Sequence, residues 1–456
     1  MRYGIRIALG LASLAIALPA PGQQAQEDSR ESLRAAIEAL KRQLARLESR
    51  LERLDSTSGD KAPSAGAVTS EPNAVTPVRA AKPRPGAEFD LYGFAQLDAI
   101  QDFARVNPDW EDSLRPTTIP TEKGEYGGDG RFIGSVRQTR FGLKATHATQ
   151  YGDAFVNIEA DLYGVGKNQG ETALRLRHAY GQLGQLLAGQ TNSLFMDGDV
   201  FPNIIDYWGP SGMALFRTVQ LRWTPFSGKN SFAVAIESAK DAIDTGRFGR
   251  DFPDFGANAQ GRDHYPDFSA QFRANRNWGH VQASALLRDI GFETANTPGN
   301  QPHGRSTGWG VALTSTINSF EQDRLILSAL GGRGIANYMN DGGVDLIPDN
   351  SPPGVIPGPV AMPLWAGVLY YDRWWNSRWS SSAGYSFTQV SNTNNQTGDA
   401  FHKGEYASVN LLNHPAETVL VGAEFLWGKR TDHSGATGND RRLQFSAKYS
   451  FSSKNP

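Results

Sequence analysis

Cysteine is missing from all 456 residues, so neither a disulfide nor a thiolate metal site holds this fold together. Long apolar runs are nearly missing as well. Hydrophobic residues make up 39% of the chain and mean hydropathy is -0.45, which excludes a bundle of membrane-spanning helices. There is no Lys/Arg-rich run, and the net charge of -2 offers nothing for a phosphate backbone to bind, so nucleic acid is not an expected partner. Enzyme signatures are lacking too. No G-x-S-x-G and no H-E-x-x-H occurs, and the eight histidines are scattered, so no catalytic residue, metal ligand or cofactor is assigned.

What is present falls into segments of different physics. Residues 1–22 carry a basic start (Arg2, Arg6), an apolar run over 7–18 and the small residues Ala20-Pro21-Gly22. That run of about 12 residues is too short to span a bilayer and reads as a secretory signal peptide. In residues 27–55, Leu33, Ile37, Leu40, Leu44, Leu47, Leu51 and Leu54 repeat at alternating spacings of four and three. Such a seam predicts a short coiled coil and hence an oligomer. Residues 56–87 are rich in Pro, Ala and Ser without any period, as in a flexible linker.

From residue 88 onward the period becomes two. In "GDAFVNIEADLYG" (152–164), Ala154, Val156, Ile158, Ala160 and Leu162 fall on one side, and Phe155, Asn157, Glu159, Asp161 and Tyr163 on the other. Each such segment is a strand with one dry and one wet face. About sixteen of them are expected between 89 and 451. Tight connections (Tyr151-Gly152-Asp153, 182–185, 319–322) alternate with long polar ones (102–134, 239–265, 332–360, 428–440). Tyr180, Trp223, Trp309, Trp365, Tyr370, Tyr371, Trp374, Trp375, Trp379 and Trp427 cluster near strand ends, where an interfacial girdle would stand. Together these predict an all-β transmembrane fold, a 16-stranded antiparallel β-barrel porin over 88–456, with lipid covering the dry face and water the other. Leu286, Leu420 and Leu426 break the pattern by falling on the wet side.

Transport through such a barrel depends on its wall charges. Arg140 and Lys144 share the wet side of one strand, and Arg175 and Arg177 that of another, where Leu174, Leu176 and Tyr180 are read as dry. Glu159 and Asp161 lie between, which leaves two surplus positive charges. Arg222, Arg273, Arg288, Arg442 and Lys448 add wet-side cations against Glu237 and Glu424. A guanidinium fork holds a carboxylate at two points and stays charged, so Arg140, Lys144, Arg175, Arg177, Arg222 and Arg273 are the expected pore-lining and anion-binding residues. A cross-strand ladder that merely stabilises the sheet is the plainer reading of the same charges. Residues 191–216 carry Asp197, Asp199 and Asp206 together with large apolar side chains. They are expected to fold inward as a constriction loop whose acids face the basic wall.

The segments "FDLYGFAQLDA", "SVRQTRFGLKATH", "FVNIEADLYG" and "LRLRHAYGQLGQLLAGQTNSLFMD", followed by a Pro- and aromatic-rich loop, resemble the DcaP-like outer-membrane porins of Gram-negative bacteria. The resemblance covers roughly 88–451. It implies a homotrimer of 16-stranded barrels in the outer membrane, contacting lipid and lipopolysaccharide, with a periplasmic coiled coil in reach of the cell wall. It also implies passive diffusion of small anions, often dicarboxylates. One departure stands out: porins usually finish on an aromatic residue, whereas Phe451 is followed by "SSKNP". Three other readings compete: a sugar-specific porin whose aromatic slide would use the Trp and Tyr of 365–379, an outer-membrane hydrolase, and an anchor that tethers the cell wall.

Overall fold

A computed structural model describes residues 86–454 apart from 166–170, 239, 321 and 353–354. The described residues all belong to one compact unit. The signal peptide, the coiled-coil seam from Leu33 to Leu54 and nearly all of the linker therefore lie outside the described residues.

Period-two patterning with unlike faces produces one sheet that closes on itself. Its first eight strands are β1 (Glu88–Asp102), β2 (Arg131–Ser135 continued by Arg140–Thr149), β3 (Gly152–Asp161), β4 (Arg175–Leu183), β5 (Leu186–Asn192), β6 (Arg217–Phe226), β7 (Asn230–Glu237) and β8 (Ala259–Gly261 continued by Asp267–Arg276). The second eight are β9 (Gly279–Thr294), β10 (Gly304–Ser319), β11 (Asp323–Arg333), β12 (Pro363–Trp374), β13 (Trp379–Val390), β14 (Phe401–Ala416), β15 (Val419–Asp432) and β16 (Thr437–Ser452). Both pieces of β2 pair with β1, and both pieces of β8 with β9. Every strand pairs antiparallel with its neighbour in sequence. The register from Tyr92↔Ser452 to Asp102↔Arg442 joins β1 to β16 and closes the barrel. Closure leaves no open edge, which is how a sheet satisfies its backbone inside lipid.

All sixteen expected strands are present, and several run further than their apolar faces. β15 and β16 continue to Asp432 and from Thr437, so 428–440 is not a long loop but a ladder closed by a short turn at 433–436. The extension is polar (Lys429, Arg430, Asp440, Arg441), so period two outlasts the apolar band that reveals it. The other connections segregate as expected. Long ones, here L1 (103–130), L2 (162–174), L3 (193–216), L4 (238–258) and L6 (334–362), lie at one rim, and short turns such as 150–151 and 184–185 at the other.

The two faces separate as their solvents require. Val156 and Ile158 are 44% and 50% exposed, while Asn157, Glu159 and Asp161 turn inward and are buried. Phe268, Phe272, Leu287, Val311, Leu313, Trp365, Leu369 and Phe445 continue the exposed apolar face around the barrel, the surface that hydrocarbon covers. The three leucines on the wrong side are buried within the lumen. Leu286 packs with Phe195 of L3, Leu426 with Leu114 and Ile119 of L1, and Leu420 with Leu412 and Ile205 of L3. Each such side chain stabilises the contact by roughly 1.5–3 kcal/mol. The wall is dry wherever a loop is pressed against it.

One strand departs from simple alternation. Glu159 pairs with His178 but Ala160 pairs with Leu176, so Arg177 is an extra residue, a β-bulge in β4. Beyond it the faces exchange. Tyr180, expected on the dry side, pairs with Asn157 and lies in the lumen, where its ring meets Phe155 at 5.9 Å. The expected girdle also loses Tyr370, which is 1% exposed and bonds Ser408 inside the barrel. Trp365, Trp375 and Trp379 are exposed on the outer side, so the stretch 365–379 does not offer the row of inward rings that a sugar slide needs.

Candidate functional site

The lumenal faces of β2, β3 and β4 carry a ladder of charges in which the bulge turns Arg177 inward beside Arg175. Asp161 accepts from Arg175 through both oxygens, Nε at 3.1 Å and Nη2 at 2.8 Å. Arg177 bridges the two acids, with Nε 2.6 Å from Glu159 and Nη1 2.8 Å from Asp161. Arg140 reaches Glu159 at 3.5 Å from the far side. Tyr92 lies flat across Gly142, where an added Cβ would fall 2.6 Å from its hydroxyl. That close approach lets the hydroxyl donate to Asn157 and Glu159 at 2.9 and 3.0 Å. Lys144 Nζ stands 4.3 Å from the centre of the same ring, and Arg140 and Lys448 flank Phe94 at 5.2 and 5.3 Å. Three guanidinium groups thus share two carboxylates, with two lysines nearby.

L3 crosses the lumen and is pinned on several walls. Asp197 accepts from Arg273 of β8 at 3.1 Å and from Thr314 of β10 at 2.6 Å, and pairs with His280 of β9 at 2.7 Å. Asp199 also pairs with Arg273. Further along, the Asn203 amide donates to Asp372 and the Ile205 amide to Glu424. The Ile205 carbonyl takes bonds from Gln138 and Gln444 at 2.9 and 3.0 Å. Asp206 is enclosed by the amides of Leu114 and Gly209 and the Tyr406 hydroxyl. Tyr207 then returns to the ladder. Its hydroxyl donates to Asp161 at 2.8 Å and accepts from Arg177 at 3.0 Å, and its ring stacks on Tyr163 at 3.8 Å. At Gly212 the loop passes so close to β12 and β13 that a Cβ would lie 2.4 Å from the Gly367 carbonyl and 2.6 Å from that of Phe387.

The inward loop is therefore present, but its acids do not form an open face opposite the arginines. Asp197 and Asp199 neutralise Arg273, which serves as the loop's anchor, and Asp206 is tucked into the L1 and L3 backbone. The wider count of lumenal cations shrinks for the same reason. Arg442 is buried between Asp102 and Asp440 at 2.8 and 2.9 Å. Arg288 is fully enclosed by Asp267, Asp345 and Asp241 at 3.0, 2.9 and 3.2 Å, and so ties L4 and L6 to the wall. Burial, above all, pushes the Asp241 carboxyl in L4 up to about 7, and raises Asp345 in L6 from the ordinary carboxylate range. Arg222 donates to the Gln220 side chain and the Asn192 carbonyl and stands apart from the ladder's acids. Of the six expected cations, Arg140, Lys144, Arg175 and Arg177 are brought together; Arg222 and Arg273 are not.

One participant escaped the sequence reading. Tyr207 is a loop aromatic with nothing in its neighbourhood to announce a partner 46 residues upstream. Arg217, where L3 rejoins the wall, pairs with Asn192 and shares its parity with the outward-facing Val219, Leu221 and Trp223.

With this geometry in place, comparison with known proteins is informative. The family model described as DcaP outer membrane protein matches residues 20–280, more than half of the chain. The outer membrane channel DcaP of Acinetobacter baumannii shares 20% identity over 81% of this chain and 99% of its own, with a TM-score of 0.68. An anion-selective porin from Comamonas acidovorans shares 9% identity over 80% of this chain and 100% of its own, with a TM-score of 0.52. At these identities the likeness is one of fold. No curated protein sequence gives a significant match. A closed barrel with a lipid-facing exterior, a charged interior and a loop folded across it, together with the family match, points to a channel of the outer membrane. The chain belongs to the DcaP outer membrane protein family.

Proposed function

We propose that this porin passes small anions, preferentially dicarboxylates, by passive diffusion along the arginine ladder, as a homotrimer assisted by the heptad seam of 27–55. The ladder itself carries this reading. Arg140, Lys144, Arg175 and Arg177 outnumber Glu159 and Asp161 by two, and the forks of Arg175 and Arg177 are already set in the plane that suits a carboxylate. Solvated anions exchange with Asp161 and Glu159 for the same donors, so binding is weak enough to release, as conduction requires. The Comamonas neighbour is itself an anion-selective porin, a likeness of fold that agrees with the charge count without deciding it.

The test is the reversal potential of the purified protein in a planar bilayer under a potassium chloride gradient, followed by titration with succinate and with a maltodextrin. Anion-biased reversal with block by succinate is the expected result. Neutralising Arg175 and Arg177 together (R175Q with R177Q) should shift the reversal potential toward cations, because the ladder's surplus of two positive charges is then gone and only Arg140 and Lys144 remain against Glu159 and Asp161. An unchanged potential would make the ladder purely structural.

A further inference from the structure

The lipid-facing surface turns basic where the apolar band ends on β14, β15 and β16, toward the long-loop rim. Lys403 Nζ lies 3.1 Å from Glu405 and 5.9 Å from the centre of the Phe387 ring, and the Tyr385 hydroxyl donates to Glu405 at 2.6 Å. Lys429 stands opposite Glu405 and Arg441 opposite Trp427 in the ladders that join these strands. Both share the parity of the outward-facing Phe425 and Phe445. Arg441 is exposed, with no carboxylate paired to it among the described residues. Three cations thus meet one acid. Lys429 and Arg441 are diagonal neighbours, about 7–8 Å apart at their backbones, so one phosphate can sit between their side chains.

Below this cluster lies a groove of about 470 Å³. The small residues Ala99 of β1, Ala423 of β15 and Ala447 of β16 form its floor, with Leu97, Leu411 and Phe445 beside them. It lies within the band that hydrocarbon covers. Phe445 follows Arg441 by four residues on β16, and Ala423 precedes Lys429 by six on β15, roughly 13 and 20 Å at the rise of a strand. Those spans suit an acyl chain that descends from a headgroup held at the rim.

We propose that this face binds one phosphate-bearing lipid of the leaflet at the long-loop rim, of the lipopolysaccharide kind, with its phosphate between Lys429 and Arg441 and one acyl chain in the groove floored by Ala99, Ala423 and Ala447. Charge decides the occupant. A second copy of the chain would have to bring acids to this depth to meet the surplus cations, whereas a phosphate joined to acyl chains arrives there with its hydrocarbon already in the band below. A phosphate oxygen accepts from guanidinium and ammonium alike, and such charge-assisted bonds are the stronger ones. Glu405 holds Lys403 aside and leaves Lys429 and Arg441 for the headgroup.

The experiment titrates the full-length protein, purified in detergent and stripped of lipid, with diphosphoryl lipid A and with the same lipid freed of its phosphates, and reads bound lipid per subunit by native mass spectrometry. Heat-modifiable gel migration confirms a folded barrel in each variant. K429Q with R441Q is expected to weaken binding of diphosphoryl lipid A about tenfold, the loss of charge-assisted contacts to the phosphate, and to leave the dephosphorylated lipid unaffected. A447F fills the groove without touching the cations and should weaken both lipids. R305Q with R333Q removes two cations from the same rim on β10 and β11 and should change neither. A K429Q/R441Q protein that binds as the wild type does, or an equal loss in R305Q/R333Q, overturns the site. Dissociation of the oligomer by A447F with lipid binding intact would give the groove to another copy of the chain and overturn it as well.

Discussion

Arg273 on β8 holds Asp197 of L3 at 3.1 Å, and Asp197 is almost wholly buried. The acid sits in the loop as a latch. Replacing the arginine (R273A) leaves that carboxylate buried with His280 and Thr314 as its remaining side-chain partners, a loss of about 3–5 kcal/mol at most. The expected result is faster amide exchange over 194–201 and a larger or noisier single-channel current. Exchange identical to the wild type would mean the other anchors suffice.

The misplaced leucines give a second expectation. Leu426→Ala removes the wall contact of Leu114 and Ile119 and should cost about 2–4 kcal/mol. The effect should be concentrated in L1, read by hydrogen exchange over 112–120, with the barrel strands unaffected. A uniform loss of protection around the barrel would contradict the idea that these leucines serve the loops.

Acidity should tighten the cover formed by L4 and L6. Burial raises the Asp241 carboxyl to about 7, so the folded contact binds a proton that an unfolded chain has already released. The contact is therefore fully favoured only below the free carboxyl's range near 4, weakens as pH rises from there to about 7, and changes little above. Exchange rates over 240–246 and 343–346, corrected for intrinsic chemistry, should increase between about pH 4 and pH 7 and level off above. D241N should remove the dependence; a flat profile in the wild type would remove the account.

Depth within lipid can be read from the outer face. Leu313, midway along β10 and 57% exposed, faces the hydrocarbon, whereas Phe320 stands at the turn and is 81% exposed. Arginine at 313 should cost about 2–4 kcal/mol and at 320 about 0–1 kcal/mol, measured by denaturant unfolding from vesicles. Equal costs at the two positions would argue against this placement of the membrane.

Removal of residues 27–55 should lower the temperature at which oligomers dissociate on semi-native gels, if the heptad seam assists assembly. Oligomers of undiminished heat resistance would assign assembly to the barrel alone.

The sixteen strands were legible because two solvents impose opposite demands at a period of two, and the ladder because Arg175 and Arg177 alternate with Leu174 and Leu176. The failures share a cause. Arg288 and Arg442 look like lumenal charge until Asp345 of L6 and Asp102 at the far end of the barrel sequence close on them, and no local pattern reports partners so remote. The leucines at 286, 420 and 426 were visible as errors, but what covered them was not. Tyr180 was misplaced because Ala179 and Gly181 are small enough for either face, so hydropathy does not register the bulge before them.

That bulge makes β4 behave like a message with a shifted reading frame. Upstream of Arg177 odd-numbered residues face water; downstream, even-numbered ones do, as His178, Tyr180 and Gln182 pair with the lumenal Glu159, Asn157 and Phe155. Deleting one residue at 177 would restore plain alternation at the cost of bringing one arginine, not two, to Asp161. Deleting one between 179 and 182 would send the wrong letters to lipid all the way to the turn.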